Sequence, residues 1–226
     1  MAVRKKQSPV FIDAPVSLLF SFSSLIILLL SRDLFPSLSQ FFSSPCAQGY
    51  EGSFVWYKPL EYARLLFHVL GGNSWSVFAS DLAFILLLGP QLETRYGSIV
   101  IFLMMSVTAL VSGILNAAFS STVLTGGTGI AFMMILLASF TSLDGSSIPM
   151  SFLFAAFLFL FRELYYAIDT SSLANFAHLA GGLAGSAIGF TAKAPQRSGR
   201  KTQASSRKTP VNSSKKAAPN SSDAEK

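Results

Sequence analysis

From Ile99 to Phe119 the chain runs 21 residues without one charged side chain. At about 1.5 Å per residue such a run is a helix of roughly 30 Å, the thickness of a bilayer's hydrocarbon core. This run does not stand alone. Leucine-, alanine- and phenylalanine-rich stretches recur at Val16–Ser31, Trp75–Pro90, Thr128–Leu143, Ile148–Phe161 and Leu173–Phe190, separated by glycine, proline and charged residues. The pattern predicts an all-α membrane protein: a six-transmembrane-helix bundle over residues 16–192, preceded by a short cytoplasmic N-terminus over 1–15. Composition agrees, because 51% of residues are hydrophobic, only 12% are charged, and the mean hydropathy is +0.51, against about 25% charged for a soluble domain.

The net charge of +6 is unevenly placed. Residues 193–226 hold nine Lys or Arg and two acids, a surplus of +7 that exceeds the whole. This segment turns abruptly to Ser, Lys, Pro, Asn and Arg, cannot form an apolar face, and is predicted to be a disordered basic tail. The charge therefore speaks for neither a nucleic-acid partner nor a soluble basic domain. The tail could hold anionic lipid headgroups at about 1 kcal/mol per residue near the surface, or serve only orientation and solubility. The liposome affinity of a chain truncated at Lys193 separates the two. The one cysteine, Cys46, leaves no internal disulfide and no cysteine metal site; neither metal nor cofactor is expected.

Val16–Ser31 has the charged start and apolar middle of a signal peptide, but no small-x-small cleavage site follows, so it is read as a retained first span. Arg32–Phe67 mixes charges with Phe41, Phe42, Tyr50, Trp56 and Tyr62. Rings on such a loop suit the membrane interface, and the loop is expected to be partly embedded and partly helical. Asp144–Pro149 reads as a turn, and Arg162, Glu163 and Asp169 as the loop after the fifth span. Six spans put both termini on one side. Basic residues at Arg4–Lys6, at Arg95 and along the tail make that side cytoplasmic.

Two features lie inside these apolar runs. Gly126-Gly127-Thr128-Gly129 is a glycine-rich turn that opens the fourth span and places a hydroxyl at its first residue. Some fifty residues later, Ala177-His178-Leu179-Ala180-Gly181 places an imidazole in the sixth. Both would descend from the same membrane face, so Thr128 and His178 could share a depth. Alone, each has an ordinary reading. A membrane threonine more often bonds the carbonyl one turn back, and a membrane histidine can simply bond across helices. Asp81 is the other ionisable group within a span, which marks it for function or for a backbone bond. Gly181, Gly182, Gly185 and Gly189 at helical spacing predict close packing of the sixth helix on the fourth.

Taken together, these residues resemble the rhomboid family of intramembrane serine proteases. The resemblance covers roughly Arg64 to Phe190. Arg64 and His68 fall where the family's first-loop Arg and His stand, though Ala63 occupies the place of a Trp. Glu93-Thr94-Arg95-Tyr96-Gly97-Ser98 is similar to the ExRxGS turn after the second helix, with Glu93, Arg95 and Gly97 holding that turn. Gly126-Gly127-Thr128-Gly129 resembles GxSG, and Ala177-His178 with Gly181 and Gly185 resembles the AHxxGxxxG helix. The resemblance implies a dyad of Thr128 as nucleophile and His178 as base. The oxyanion would lie at the backbone beside Gly126 and at the second-helix positions Val77 and Asp81. Its partners would be a transmembrane-helix substrate or client and the bilayer.

The sequence departs from the family pattern at three of those places. Threonine adds a methyl and stiffens χ1. Val77 has no donor. Asp81 repels an oxyanion if ionised and can donate only if protonated. Losing one oxyanion donor costs about 10²–10³ in rate. The implied activity is thus a weak or absent endopeptidase, with a pseudoprotease that binds or escorts transmembrane helices as the alternative. A proton-coupled transporter using Asp81 and His178 lacks an internal repeat; proton-coupled uptake lost in Asp81→Asn would revive it.

Overall fold

The computed structural model describes residues 14–72, 74–141, 150–169 and 173–191. The expected turn at 144–149, the tail and all but the end of the N-terminus lie outside the described residues. The helices are α1 (Pro15–Leu29), α2 (Ser37–Phe41), α3 (Pro59–Phe67), α4 (Trp75–Tyr96), α5 (Ser98–Phe119), α6 (Thr128–Thr141), α7 (Met150–Asp169) and α8 (Ala174–Thr191). A π-helical turn, Leu30–Leu34, extends α1, and a 3-10 turn, His68–Leu70, ends α3. Residues Pro15–Arg32, α4 and α5 are long and apolar enough to cross a membrane; α6 is apolar but shorter.

α6 is hydrophobic all round, as a helix buried in the bundle or in lipid must be, and it is the central helix. Ile130, Met133, Met134 and Leu137 are fully enclosed. α4 and α8 pack on α6, and α5 packs on α8. The outside is apolar: Phe102, Leu103 and Leu110 on α5 and Phe154, Phe157 and Phe161 on α7 are exposed. α1 shows the same inversion within one helix. Its serines at 17, 21 and 24 are buried, while Leu19, Phe22 and Ile26 point outward. Small residues inward and large ones outward is how helices pack where lipid, not water, is the solvent.

The glycine stripe of α8 serves two neighbours rather than the one expected. A Cβ on Gly182 would come within 2.8 Å of the Gly129 carbonyl on α6. On Gly181 it would lie 2.7 Å from the Thr108 carbonyl, and on Gly185 2.8 Å from the Met104 carbonyl, both on α5. α8 is thus wedged between the two.

Two helix ends differ from expectation. α4 does not stop at Pro90 but continues to Tyr96, turning at Gly97 with φ +87°. Gly89 leaves room on that helix for α1, since a Cβ there would collide with Ser17. α7 likewise runs on through Arg162 and Glu163, which are helical and not loop residues.

Glu93 ties the end of α4 to the starts of α1 and α5. Its carboxylate accepts from the backbone N–H of Val16 (3.2 Å) and of Ser17 (2.7 Å), from Ser17 Oγ (2.7 Å) and from Ser98 Oγ (2.8 Å). It therefore caps α1 from another helix, satisfying orphan N–H groups and opposing the positive end of the helix dipole. Glu93→Gln is expected to cost about 1.5–3 kcal/mol, read as a lower unfolding midpoint in detergent, with Glu93→Ala costing more. Unchanged midpoints in both would show that the cap is idle.

The first-loop region is helical in α2 and α3. Arg64 holds it down, donating to the Ser43 carbonyl (2.9 Å) and pairing with the buried Glu61 (2.8 Å). The loop before α6 is stitched to the same region. Ser44 and Leu124 exchange backbone hydrogen bonds of 2.7 and 3.2 Å, and Asn116 Nδ2 donates to the carbonyls of Pro45 and Thr122. That is the burial in protein which irregular backbone at membrane depth requires.

Candidate functional site

The glycine turn before α6 is set by backbone geometry. Gly126 has φ +110°, a region that side chains rarely adopt, and its N–H donates to the His68 carbonyl at 3.0 Å. The turn releases Thr128 as the first residue of α6. His178 is the fifth residue of α8, and Gly129 is where the two helices touch. A Cβ on Gly129 would lie 3.1 Å from the His178 carbonyl and 3.4 Å from its Nδ1. Thr128 and His178 are both buried, at 4% and 6% exposure, near the starts of adjoining helices.

The hydroxyl of Thr128 is directed elsewhere. It donates to Asp81 Oδ2 on α4 at 2.6 Å, within the range of an ordinary O–H···O bond. Nδ1 of His178 has no hydrogen-bond partner among the described residues.

Asp81 is itself held from α7. Its Oδ1 lies 3.4 Å from Arg162 Nη2. Arg162 also donates to Ser80 Oγ (2.9 Å) and to Glu163 Oε1 (2.7 Å), and its guanidinium lies 4.9 Å from the Phe159 ring centre. Asn175 on α8 donates to Glu163 Oε2 at 3.2 Å. The result is a polar network joining α4, α7 and α8 beside Thr128. Sequence reasoning missed it by placing Arg162 and Glu163 in a loop. One signal was available: Arg162 is the sole Lys or Arg between Tyr96 and Lys193. A lone cation in so long an apolar region needs a partner.

His68 braces the site from the first loop. It is fully buried, its ring centre 6.5 Å from that of His178, with Nδ1 against the Leu65 carbonyl (3.0 Å) and Nε2 against Ser112 Oγ (3.4 Å). Burial pulls its pKa down to about 4, so it is neutral at physiological pH. Arg64 lies one turn before it and is committed to Glu61 and Ser43.

A cavity of about 100 Å³ opens above Asp81, lined by Val77, Phe78, Thr125, Gly126 and the backbone of Gly71 and Gly72. Val77 and Asp81, the two second-helix positions, thus meet the glycine turn at one cavity. A larger groove of about 230 Å³ lies between α1, α3 and α5, but its lining is almost wholly apolar; of the candidate reactive groups, Asp81 lines the smaller cavity. No set of three His, Cys, Asp or Glu side chains among the described residues is disposed to bind a metal.

The Rhomboid domain family model matches residues 59–195, more than half of the chain. An all-helical apolar bundle with a glycine turn opening one helix and a histidine on its neighbour accords with that match, and the protein belongs to the rhomboid family. No curated protein matches the chain. As a member of that family with long apolar helices, it is a multi-pass integral membrane protein.

Proposed function

We propose that this protein is a rhomboid pseudoprotease that holds transmembrane helices without cutting them. The observation that carries this reading is the hydrogen bond from Thr128 Oγ1 to Asp81 Oδ2. A nucleophile needs its proton taken by a base, and in the implied dyad that base is His178. Here the hydroxyl instead donates its hydrogen bond to a carboxylate anchored by Arg162. The same carboxylate stands where an oxyanion would need a donor, and Val77 beside it offers none. Positioning and electrostatic stabilisation are both turned against acyl transfer.

The second reading, a slow Thr128/His178 peptidase, draws on the unpartnered His178 Nδ1 beside the first turn of α6. In both readings the chain crosses the membrane six times, with both termini cytoplasmic and the basic tail available to anionic headgroups. The test is to reconstitute the full chain in liposomes with a labelled transmembrane peptide. The expected result is a bound, intact peptide over hours. Cleavage by wild type that vanishes in both Thr128→Ala and His178→Ala would overturn the pseudoprotease in favour of the peptidase.

A further inference from the structure

We infer that the groove between α1, α3 and α5 seats one acyl chain of a bilayer phospholipid. The inference is independent of whether the protein cuts transmembrane helices or only holds them.

Place is the first argument. The Glu93 carboxylate accepts from both the Val16 N–H and Ser98 Oγ, so α1 and α5 begin at one face of the bundle. The groove follows the two helices inward, from Val16 to Ser23 on α1 and from Phe102 to Ala109 on α5. The rise over either segment is about 10 Å, against about 15 Å for one leaflet's half of the hydrocarbon core. One end therefore lies near the face where headgroups stand, and the other reaches towards the middle of the membrane, which is the course of a lipid tail. Leu19 and Phe102 on the rim are exposed, so the groove is continuous with the lipid-facing surface.

Width is the second. A volume of about 230 Å³ over a length of about 10 Å is a cross-section of roughly 23 Å². A helix about 10 Å across needs roughly 80 Å². Neither the transmembrane helix of a client nor a helix of a second copy lies in so narrow a slot, whereas a single hydrocarbon chain does.

Chemistry is the third. The polar side chains of the lining are Ser23 and Ser106, and Ser106 Oγ is spent on the Phe102 carbonyl one turn back (2.8 Å). A buried water needs about two to four polar partners, and apolar cavities stay dry. An empty groove would forfeit the dispersion contacts of its lining. Lipid tails are as apolar as the side chains, so no hydrophobic gain drives the chain in. Shape seats it, at the concentration of the bilayer itself, and the site is selective for a slender chain and indifferent to the headgroup. On its inner side the chain meets Val69 and Leu70. These belong to the turn whose His68 carbonyl accepts from the Gly126 N–H at 3.0 Å, so the chain packs against the element that holds the glycine turn.

The test uses the full chain in phosphatidylcholine nanodiscs doped with phosphatidylcholine that carries a photoreactive diazirine, either next to the glycerol or midway along one chain. Adducts are mapped by mass spectrometry. The mid-chain label should mark Phe154 and Phe157 on the outer surface of α7, as any surrounding lipid does. It should also mark Met105 and Val69, which line the groove and are only 5% and 8% exposed, out of reach of lipid on the outer surface. The label next to the glycerol should mark Val16 and Phe102 instead. Ser23→Phe and Ser106→Phe fill the groove from opposite walls. Each should cut the labelling of Met105 and Val69 at least about tenfold and leave that of α7 unchanged. Wild type labelled at neither Met105 nor Val69, or labelled there alike from both positions on the lipid, overturns the inference. So does undiminished labelling of Met105 and Val69 in either variant that still unfolds cooperatively. The depth pattern in the wild type decides alone if neither variant folds.

Discussion

A protein carrying both Thr128→Ser and Asp81→Asn is expected to react with a fluorophosphonate probe that leaves the wild type unlabelled. The reasoning is local. In the wild type the hydroxyl is bound at 2.6 Å to a buried carboxylate, and the β-methyl of threonine narrows the rotamers by which it could turn to His178. Serine removes the methyl. Asparagine removes the negative charge, weakens the acceptor, and offers an N–H where charge develops on the attacked oxygen. Restoring one such donor is worth about 10²–10³ in rate, so labelling should rise by at least that factor. In the reaction Oγ forms the bond to phosphorus, fluoride leaves, and His178 takes the hydroxyl proton. His178→Ala added to the double variant should therefore abolish labelling. Labelling that persisted without His178 would show that another base is at work. An unlabelled double variant that still unfolds cooperatively would show that Asp81 is not what restrains the hydroxyl.

The largest structural effect is expected at Gly185. A Cβ there would collide with Thr108 Oγ1 and lie 2.8 Å from the Met104 carbonyl. The carbonyl belongs to the backbone of α5 and cannot rotate aside, so α8 must move out from between α5 and α6. Overpacking of this kind usually costs about 1–3 kcal/mol, occasionally more. Gly185→Val, on a helix that also carries His178, belongs at the upper end. Gly127→Ala is the control: its nearest neighbour is the edge of Phe20 at 3.4 Å, an ordinary contact. Unfolding in mixed detergent should show a large loss for the first and a change within about 0.5 kcal/mol for the second, as for most substitutions that break nothing. Equal midpoints would mean that α8 is not wedged as described.

Much of this architecture was legible before the coordinates. Apolar runs named the helices because lipid leaves the backbone few alternatives to bonding within itself. Glycines at 181, 182, 185 and 189 announced a close approach, and the GGTG turn announced the start of α6. The same reasoning ended helices too early. Pro90 reads as a stop, yet α4 continues because a proline forfeits one hydrogen bond but not a helix packed against both α1 and α6. Arg162 and Glu163 read as loop because charge is expensive in lipid; they are helical, and pair with each other, with Asp81 and with Asn175.

The one-dimensional pattern of polarity thus decided that the chain lives in a membrane, which residues are its reactive candidates, and that Thr128 and His178 begin neighbouring helices. Hydropathy and glycine spacing are local properties, written residue by residue. What Thr128 does with its proton is not local. It depends on whether Asp81, 47 residues earlier, or His178, 50 residues later, lies on the side to which the hydroxyl turns. Only the packing of α4, α6, α7 and α8 decides this, and it turns the hydroxyl to Asp81, a carboxylate held in place by a guanidinium that the sequence had put in a loop.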